Sequence, residues 1–139
     1  MQAIVLVGDR AYQEQVSTTI KTILHYNKNL IIFVFNQGLS DEWFRDFYKL
    51  AKRLDSVVIN LQLDKLAIRA ACLTKDYIST VAYASYFISQ LVVEDRLLYL
   101  DCDRVVNGDL TPLFNESLKG KLVLAVDDAR GKGFNTGVL

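Results

Sequence analysis

The stretch Leu97-Leu98-Tyr99-Leu100-Asp101-Cys102-Asp103 is a hydrophobic run closed by two carboxylates. Its apolar part is typical of a buried strand. Residues i and i+2 of an extended chain project to the same side, so we expect Asp101 and Asp103 to aim at one point while Cys102 faces the other way. Carboxylate oxygens suit Mn²⁺ or Mg²⁺, and a metal held by only one or two carboxylates completes its shell with water and phosphate oxygens. The stretch therefore predicts a divalent metal on Asp101 and Asp103 and a phosphorylated substrate.

The same pair has a simpler interpretation. Aspartates are common where strands run into turns, because their side chains accept hydrogen bonds from nearby backbone N–H groups. An isolated Asp-x-Asp pair is weak evidence for a metal, so the surrounding sequence has to decide.

Strand and helix patterns alternate on the N-terminal side of this stretch. Continuous apolar runs predict strands at residues 3–7, 30–35 and 56–61. Apolar residues at helical spacing predict a helix from about Gln13 to Tyr26, a second helix capped by Ser40 that carries Trp43 to Leu54, and a nearly all-apolar helix from Tyr77 to Val93. Apolar strands that alternate with helices favour a mainly parallel sheet covered on both faces. The predicted class is α/β, Rossmann-like.

The C-terminal part carries shorter signals. We predict a short helix opening at Thr111-Pro112, a strand from Leu122 to Val126 and a loop from Asp127 to Gly133. The last six residues, Phe134 to Leu139, look like the start of a further strand and not like a natural end. We therefore expect residues 1–139 to form a single domain that is the N-terminal portion of a longer protein.

Composition narrows the classes of partner. Sixteen Lys and Arg balance sixteen Asp and Glu without a basic cluster, which argues against nucleic acid or a charged membrane surface as principal partner. Cys72 and Cys102 are too few for a disulfide framework. Met1 leads directly into a strand pattern, and no secretion signal or membrane span is apparent. We expect a cytoplasmic protein with a small substrate.

Further candidates follow from the geometry of parallel sheets. Ligands bind beyond the carboxyl ends of the strands, so the loop after the first strand and the Asp-x-Asp loop are expected to share one crevice. Asp9 could accept a hydrogen bond from a nucleobase, and backbone amides near Ala11 could meet phosphate; alternatively, Asp9 is a turn residue. Asp127 closes another strand, and Asn135 and Gly137 could return to the same pocket; alternatively, Asp127 lies in a solvated loop.

Several segments together resemble glycosyltransferase family 8, a GT-A group of nucleotide-diphospho-sugar transferases that includes lipopolysaccharide galactosyltransferases, glycogenin and general stress protein A relatives. The order and spacing agree across the chain. The segments are residues 4–9 with Tyr12 and the helix through Thr19-Ile20, residues 96–103, residues 108–114, Ala125-Val126-Asp127, and Phe134-Asn135-Thr136-Gly137-Val138-Leu139.

The resemblance implies a GT-A fold and a retaining transfer of a hexose from a UDP-sugar to a saccharide, lipid-linked or glycoprotein acceptor, with Mn²⁺ or Mg²⁺ on the diphosphate. Asp101 and Asp103 would hold the metal. By match to the family pattern, residues Val7, Asp9 and Ala11 would border the uridine, and Asp103 would also touch the ribose. Asp127 and Asn135 would hold sugar hydroxyls.

Two departures from the family pattern leave alternatives open. Ser85 stands where the family usually carries an Arg or Lys aimed at the donor, and the family's His ligand of the metal belongs to a segment after Leu139. A non-catalytic nucleotide-sugar-binding or partner-docking module is therefore the main alternative. A haloacid-dehalogenase-like phosphatase is a remote one, since that family also places Asp-x-Asp after an apolar strand, although normally after the first strand.

Overall fold

The computed structural model describes residues 1–63, 87–127, 131 and 133–139. A sheet of four parallel strands forms its centre, and two further strands form a small antiparallel hairpin. The strands are β1 Gln2–Asp9, β2 Leu30–Gln37, β3 Val57–Gln62, β4 Leu97–Asp101, β5 Val126–Asp127 and β6 Phe134–Asn135. The helices are a 3-10 turn Arg10–Tyr12, α1 Gln13–Tyr26, α2 Asp41–Lys52, and two short helices, Ile88–Leu91 and Thr111–Asn115. The predicted α/β class with a mainly parallel sheet is confirmed.

The continuous apolar strands are explained by burial on both faces of the sheet. Every residue from Ala3 to Gly8 in β1 is buried. Side chains on one face, such as Ile4 and Leu6, pack with residues of α1 and α2. Those on the other face, such as Val5, pack with Phe35 of β2. Full burial of one such aliphatic or aromatic side chain stabilises the fold by about 1.5–3 kcal/mol.

The strand order is β3-β2-β1-β4, which places the first strand of the chain inside the sheet. The chain moves outward from β1 through β2 to β3, and then returns to pair β4 with the other edge of β1. The strand order thus reverses between β1 and β4. Their parallel register runs from Ala3 opposite Leu97 to Val7 opposite Asp101. Such a switch point is where open α/β sheets bind their ligands.

Helix ends follow the capping signals of the sequence. The hydroxyl of Ser40 accepts a hydrogen bond from the Trp43 N–H (3.2 Å) and caps α2, as predicted. Helix α1 spans its predicted range, and α2 ends at Lys52, two residues before Leu54. In the described residues, we find no helix that is both long and apolar enough to cross a membrane.

Two further predictions differ from the structure. The strand predicted over Leu122 to Val126 is wrong: only Val126–Asp127 is a strand, and Leu122 is 96% exposed. The reason is pairing, since β5 has β6 as its partner and β6 has only two residues. The helix predicted from Tyr77 to Val93 ends two residues early, at Leu91, and its residues 77–86 lie outside the described part of the chain.

The last residues pair with β4. Tyr99 and Leu139 exchange backbone hydrogen bonds of 2.8 and 3.0 Å, and the Asp101 N–H donates to the Gly137 carbonyl at 3.0 Å. An antiparallel bridge joins Leu100 and Val138 between them. The start of a further strand expected at the end of the sequence therefore lies along the free side of β4.

One threonine of α1 holds the turn that carries Asp103. The Thr19 hydroxyl is fully buried and lies 2.8 Å from the Cys102 carbonyl and 2.7 Å from the Arg104 carbonyl. A hydroxyl has a single proton, so the two carbonyls share one donor. The carbonyls on both sides of Asp103 are thus anchored to the helix.

Two more polar residues of α1 continue this attachment along the chain. The Thr22 hydroxyl accepts a hydrogen bond from the Val106 N–H at 3.1 Å. The Asn27 side chain accepts from the Leu110 N–H at 2.7 Å. The segment from Cys102 to Leu110, which precedes the short helix Thr111–Asn115, is itself neither a strand nor a helix. Helix α1 therefore holds this segment by side-chain hydrogen bonds.

We expect Gly8→Ala to destabilise the protein through overpacking. A Cβ on Gly8 would lie 2.6 Å from Cγ2 of Val16, where β1 meets α1. The free energy of unfolding in urea should fall by about 1–3 kcal/mol. In the double variant with Val16→Ala, which removes the obstructing methyl group, the loss should be smaller than the sum of the single losses. Additive losses would contradict the predicted clash.

We expect Thr19→Val to lower the free energy of unfolding by about 1–3 kcal/mol, because it leaves two inward-facing carbonyls without their donor. Thr19→Ser keeps the hydroxyl, and its loss of unfolding free energy should be less than half of that in Thr19→Val. Urea denaturation of the three proteins measures both effects. Full stability of Thr19→Val together with a loss in Thr19→Ser would show that the methyl group, and not the hydrogen bond, matters.

Candidate functional site

The carboxyl ends of β1 and β4 bring the two predicted halves of the site together. Val7 lies opposite Asp101 in the parallel register, and Asp9 is the last residue of β1. The loop after β1 and the Asp-x-Asp turn therefore border the same edge of the sheet, at the point where the strand order reverses. The sequence predicted this shared crevice from strand direction alone.

Asp101 is held from two sides. The Tyr99 hydroxyl, two residues earlier on the same face of β4, donates to Oδ1 at 3.3 Å. The Arg104 guanidinium donates to Oδ2 at 3.1 Å. Burial and then the Asp101 charge raise the pKa of Tyr99 well above its ordinary value, so the phenol keeps its proton and stays a donor. Both carboxylate oxygens of Asp101 thus have defined directions.

Asp103 reaches the same guanidinium by a different route from the one predicted. Strand β4 ends at Asp101, and Cys102 and Asp103 form a turn, so strand alternation does not extend to Asp103. Asp103 instead approaches through Arg104, whose Nε lies 3.8 Å from Oδ1 of Asp103. The two carboxylates do meet at one positive group, but the turn and not an extended backbone brings them there.

Cys102 occupies the opposite side of this turn. It is partly buried against the cluster that includes α1, and its Cβ and Sγ lie 3.6 Å from the position of a Cβ on Gly8. Burial, and then the charges of Asp103 and Asp101, raise the pKa of the Cys102 thiol to about 11. A thiol that stays protonated is a poor nucleophile and metal ligand, which agrees with a packing role.

Asp9 and Ala11 are tied to each other. Oδ1 of Asp9 accepts hydrogen bonds from the backbone N–H groups of Ala11 (2.9 Å) and Tyr12 (3.3 Å), which caps the 3-10 turn. Asp9 therefore acts as a turn residue, which was the alternative interpretation from the sequence. Val7 is 7% exposed, so its side chain contributes to the core beneath the crevice more than to its surface.

Asp127 and Asn135 lie on the β5–β6 hairpin, and both are exposed. Asp127 pairs with Phe134 in the antiparallel register, and Asn135 pairs with Val126. The Asn135 side chain accepts a hydrogen bond from the Gly137 N–H at 2.8 Å, and the Gly137 carbonyl accepts one from Asp101. The hairpin is thereby connected to the Asp-x-Asp turn through Gly137. Ser85 lies outside the described residues.

Two residues of the site were missed in the sequence. Arg104 follows the Asp-x-Asp pair directly and faces both of its carboxylates. Its neighbouring position was a usable signal, because an Arg at i+3 from one carboxylate and i+1 from the other can reach both. Thr19 carries no such signal, since its partners Cys102 and Arg104 are more than eighty residues away.

The donor set fits a divalent cation incompletely. Within the described ranges, no group of three or more His, Cys, Asp or Glu side chains could hold a metal ion. Asp101 and Asp103 nevertheless both lie close to the Arg104 guanidinium, at 3.1 and 3.8 Å. A shallow cavity of about 310 Å³ adjoins this point and is lined by Glu14, Gln15, Thr18, Asp103, Arg104 and Val105. Further oxygens would have to come from water and ligand.

Comparison with known proteins agrees with this architecture. The sequence model described as glycosyl transferase family 8 matches residues 3–138. The chain is 42% identical to glycosyltransferase GlyD of Streptococcus pneumoniae serotype 4 (strain TIGR4) over 138 residues, which cover 99% of this chain and 17% of GlyD.

Solved structures show the same fold. The apo form of glycosyltransferase GlyE of Streptococcus pneumoniae TIGR4 superimposes with a TM-score of 0.81 at 33% identity, covering 99% of this chain and 32% of that one. The Q189E mutant of LgtC gives a TM-score of 0.82 at 21% identity, covering 99% of this chain and 56% of that one. The chain thus spans from about a sixth to just over half of the length of these proteins. The predicted GT-A fold is confirmed. Because the family model matches almost the whole sequence, the chain belongs to glycosyltransferase family 8.

Proposed function

We propose that this chain binds a UDP-sugar through a divalent cation, Mn²⁺ or Mg²⁺, on Asp101 and Asp103, as the donor-binding part of a retaining hexosyltransferase. The observation that carries the proposal is the meeting of both carboxylates at one positive group beside the β1–β4 switch point. Open α/β sheets bind their ligands at such points. Membership of family 8 supports the reaction class.

The chemistry of the donor suits these groups. Charge develops on the departing diphosphate as the glycosidic bond breaks, and a divalent cation bound there supplies electrostatic stabilisation. Asp101 is the better oriented ligand, because the Tyr99 hydroxyl fixes one of its oxygens. Asp103 depends on the Thr19 anchor of its turn. The chain's own task is therefore to keep two carboxylates in place while the nucleotide provides the remaining oxygens.

The uridine and the sugar would lie on opposite sides of this pair. We assign the uridine to the end of β1, with Val7, Asp9 and Ala11, and the ribose to Asp103 as well. The Ala11 side chain carries no polar group and its N–H serves Asp9, so Asp9 is the polar group of this side. We assign the sugar hydroxyls to Asp127 and Asn135, because the hairpin reaches Asp101 through Gly137.

We further propose a saccharide, lipid-linked or glycoprotein acceptor, and membership of family 8 supports a carbohydrate-transferring reaction. We place the protein in the cytoplasm, where Cys72 and Cys102 would remain thiols. The haloacid-dehalogenase-like phosphatase has no support, because the family and the fold are those of glycosyltransferases.

A non-catalytic nucleotide-sugar-binding module is the second candidate. The observation in its favour is the small donor set, since the described residues supply only two carboxylates at the cation position. Release of free sugar from a UDP-sugar by this chain would reject the second candidate. Binding without any turnover, by this chain and by a longer chain that contains it, would favour it.

We expect UDP to bind in a manner that requires Mn²⁺ and Asp101. Calorimetry should show binding of UDP that EDTA removes, and Asp101→Asn should weaken the binding at least about tenfold, because one of two anionic ligands is lost. Asp55→Asn is the matched control. Asp55 is exposed just before β3, at the other end of the sheet, and its φ of 50° suits Asn. Equal UDP binding with EDTA present would contradict the proposal.

We expect Asp127 to act on the sugar and not on the nucleotide. Asp127→Asn should weaken binding of UDP-glucose or UDP-galactose by about three- to tenfold, because the amide keeps an acceptor oxygen but loses the charge that strengthens the hydrogen bond. The affinity for UDP should not change. Calorimetry with each ligand in the presence of Mn²⁺ separates the two. Equal weakening for UDP and the UDP-sugars would show that Asp127 does not contact the sugar.

A further inference from the structure

Arg104 satisfies the two carboxylates with different nitrogens. Its Nη2 lies 3.1 Å from Oδ2 of Asp101, and its Nε lies 3.8 Å from Oδ1 of Asp103. One planar guanidinium therefore spans both side chains, which a compact ammonium does not do as well. Without a positive group between them, the two carboxylates would repel each other.

The surroundings hold the guanidinium in this position. A Cβ on the buried Gly137 would overlap the Arg104 guanidinium and would lie 2.8 Å from Oδ2 of Asp101, so the guanidinium packs directly on the backbone there. The Arg104 carbonyl is anchored by the Thr19 hydroxyl at 2.7 Å. The backbone of Arg104 is thus fixed on one side, and Gly137 provides the space for the side chain on the other.

The Arg104 side chain is nevertheless partly exposed to solvent, as are the two carboxylates. The Arg104 side chain is 43% exposed, and Asp101 and Asp103 are 38% and 54% exposed. Ion pairs at such exposure are weak, because water screens them. The Arg104 side chain can therefore leave the carboxylates at a small cost, while its backbone stays attached to α1.

We propose that Arg104 is an internal cation that occupies the metal position of the Asp101–Asp103 pair and leaves it when a divalent cation binds. The inference rests on the proposed function, in which these two carboxylates hold the metal. Two cations cannot share the position at these distances, so metal and guanidinium compete. Arg104 then offsets one of the two negative charges of the pair in the metal-free protein and weakens its affinity for metal.

The test measures Mn²⁺ binding from the electron paramagnetic resonance signal of the free ion. UDP is present at a fixed concentration. Arg104→Gln removes the competing charge and should tighten Mn²⁺ binding by about fivefold, the scale of two screened ion pairs. Arg104→Lys keeps the positive charge but lacks the planar guanidinium that spans both carboxylates. Its affinity for Mn²⁺ should lie between those of wild type and Arg104→Gln. Arg53→Gln is the matched control: Arg53 is exposed beyond the end of α2, and its variant should bind Mn²⁺ as wild type does.

A second measurement follows the guanidinium itself. In a ¹H–¹⁵N spectrum of arginine side chains with UDP present, the Nε–H signal that Arg104→Lys removes should shift or broaden on addition of Mg²⁺. The Arg53 signal should not change. A signal of Arg104 that Mg²⁺ at saturating concentration leaves unchanged would overturn the inference.

The outcomes separate this inference from the proposed function. If wild type and Arg104→Gln bind Mn²⁺ equally and Asp101→Asn does not bind it, the metal site stands and the competition by Arg104 is rejected. If Arg104→Lys equals wild type while Arg104→Gln binds more tightly, general charge and not occupancy is responsible, and the inference is also rejected. If neither wild type nor Arg104→Gln binds Mn²⁺, the proposed function itself fails.

Discussion

The parallel pairing of β4 with β1 is the constraint on which the rest of the structure depends. It places Asp101 opposite Val7, and it reverses the strand order beside the first strand of the chain. Without this pairing, the loop after β1 and the Asp-x-Asp turn would lie at unrelated places. The pairing is also what makes β4 available to the last residues, since its other side accepts Gly137 and Leu139. One strand thus joins the nucleotide side of the proposed site to its sugar side.

The turn that carries Asp103 is not paired with a strand. Helix α1 holds it instead. Thr19, Thr22 and Asn27 of α1 bind backbone groups of the segment that follows β4. This arrangement separates two tasks. Hydrophobic residues of α1 such as Ile20 and Ile23 hold the helix on the sheet, and polar residues of the same helix hold the loop. A loop fixed in this way can present carboxylates without burying them.

In the metal-free state, Arg104 offsets one of the two negative charges of the carboxylates. Repulsion between Asp101 and Asp103 would otherwise act against the turn whenever no cation is bound. Because the ion pairs are exposed, breaking them costs little free energy. The affinity of the site for metal would therefore depend on how readily the Arg104 guanidinium leaves the fixed turn.

Periodicity and residue chemistry in the sequence determined the α/β class, the bounds of α1, the Ser40 cap and the position of the candidate carboxylates at the end of β4. These features are local: an apolar run of strand length is apolar whatever it pairs with. Only the tertiary structure decided that Leu122 to Ala125 is not a strand, because a strand exists only where a partner supplies its hydrogen bonds. The same holds for Thr19, whose partners lie more than eighty residues away. Contacts of that kind depend on how distant segments fold together, and no pattern within a single segment contains them.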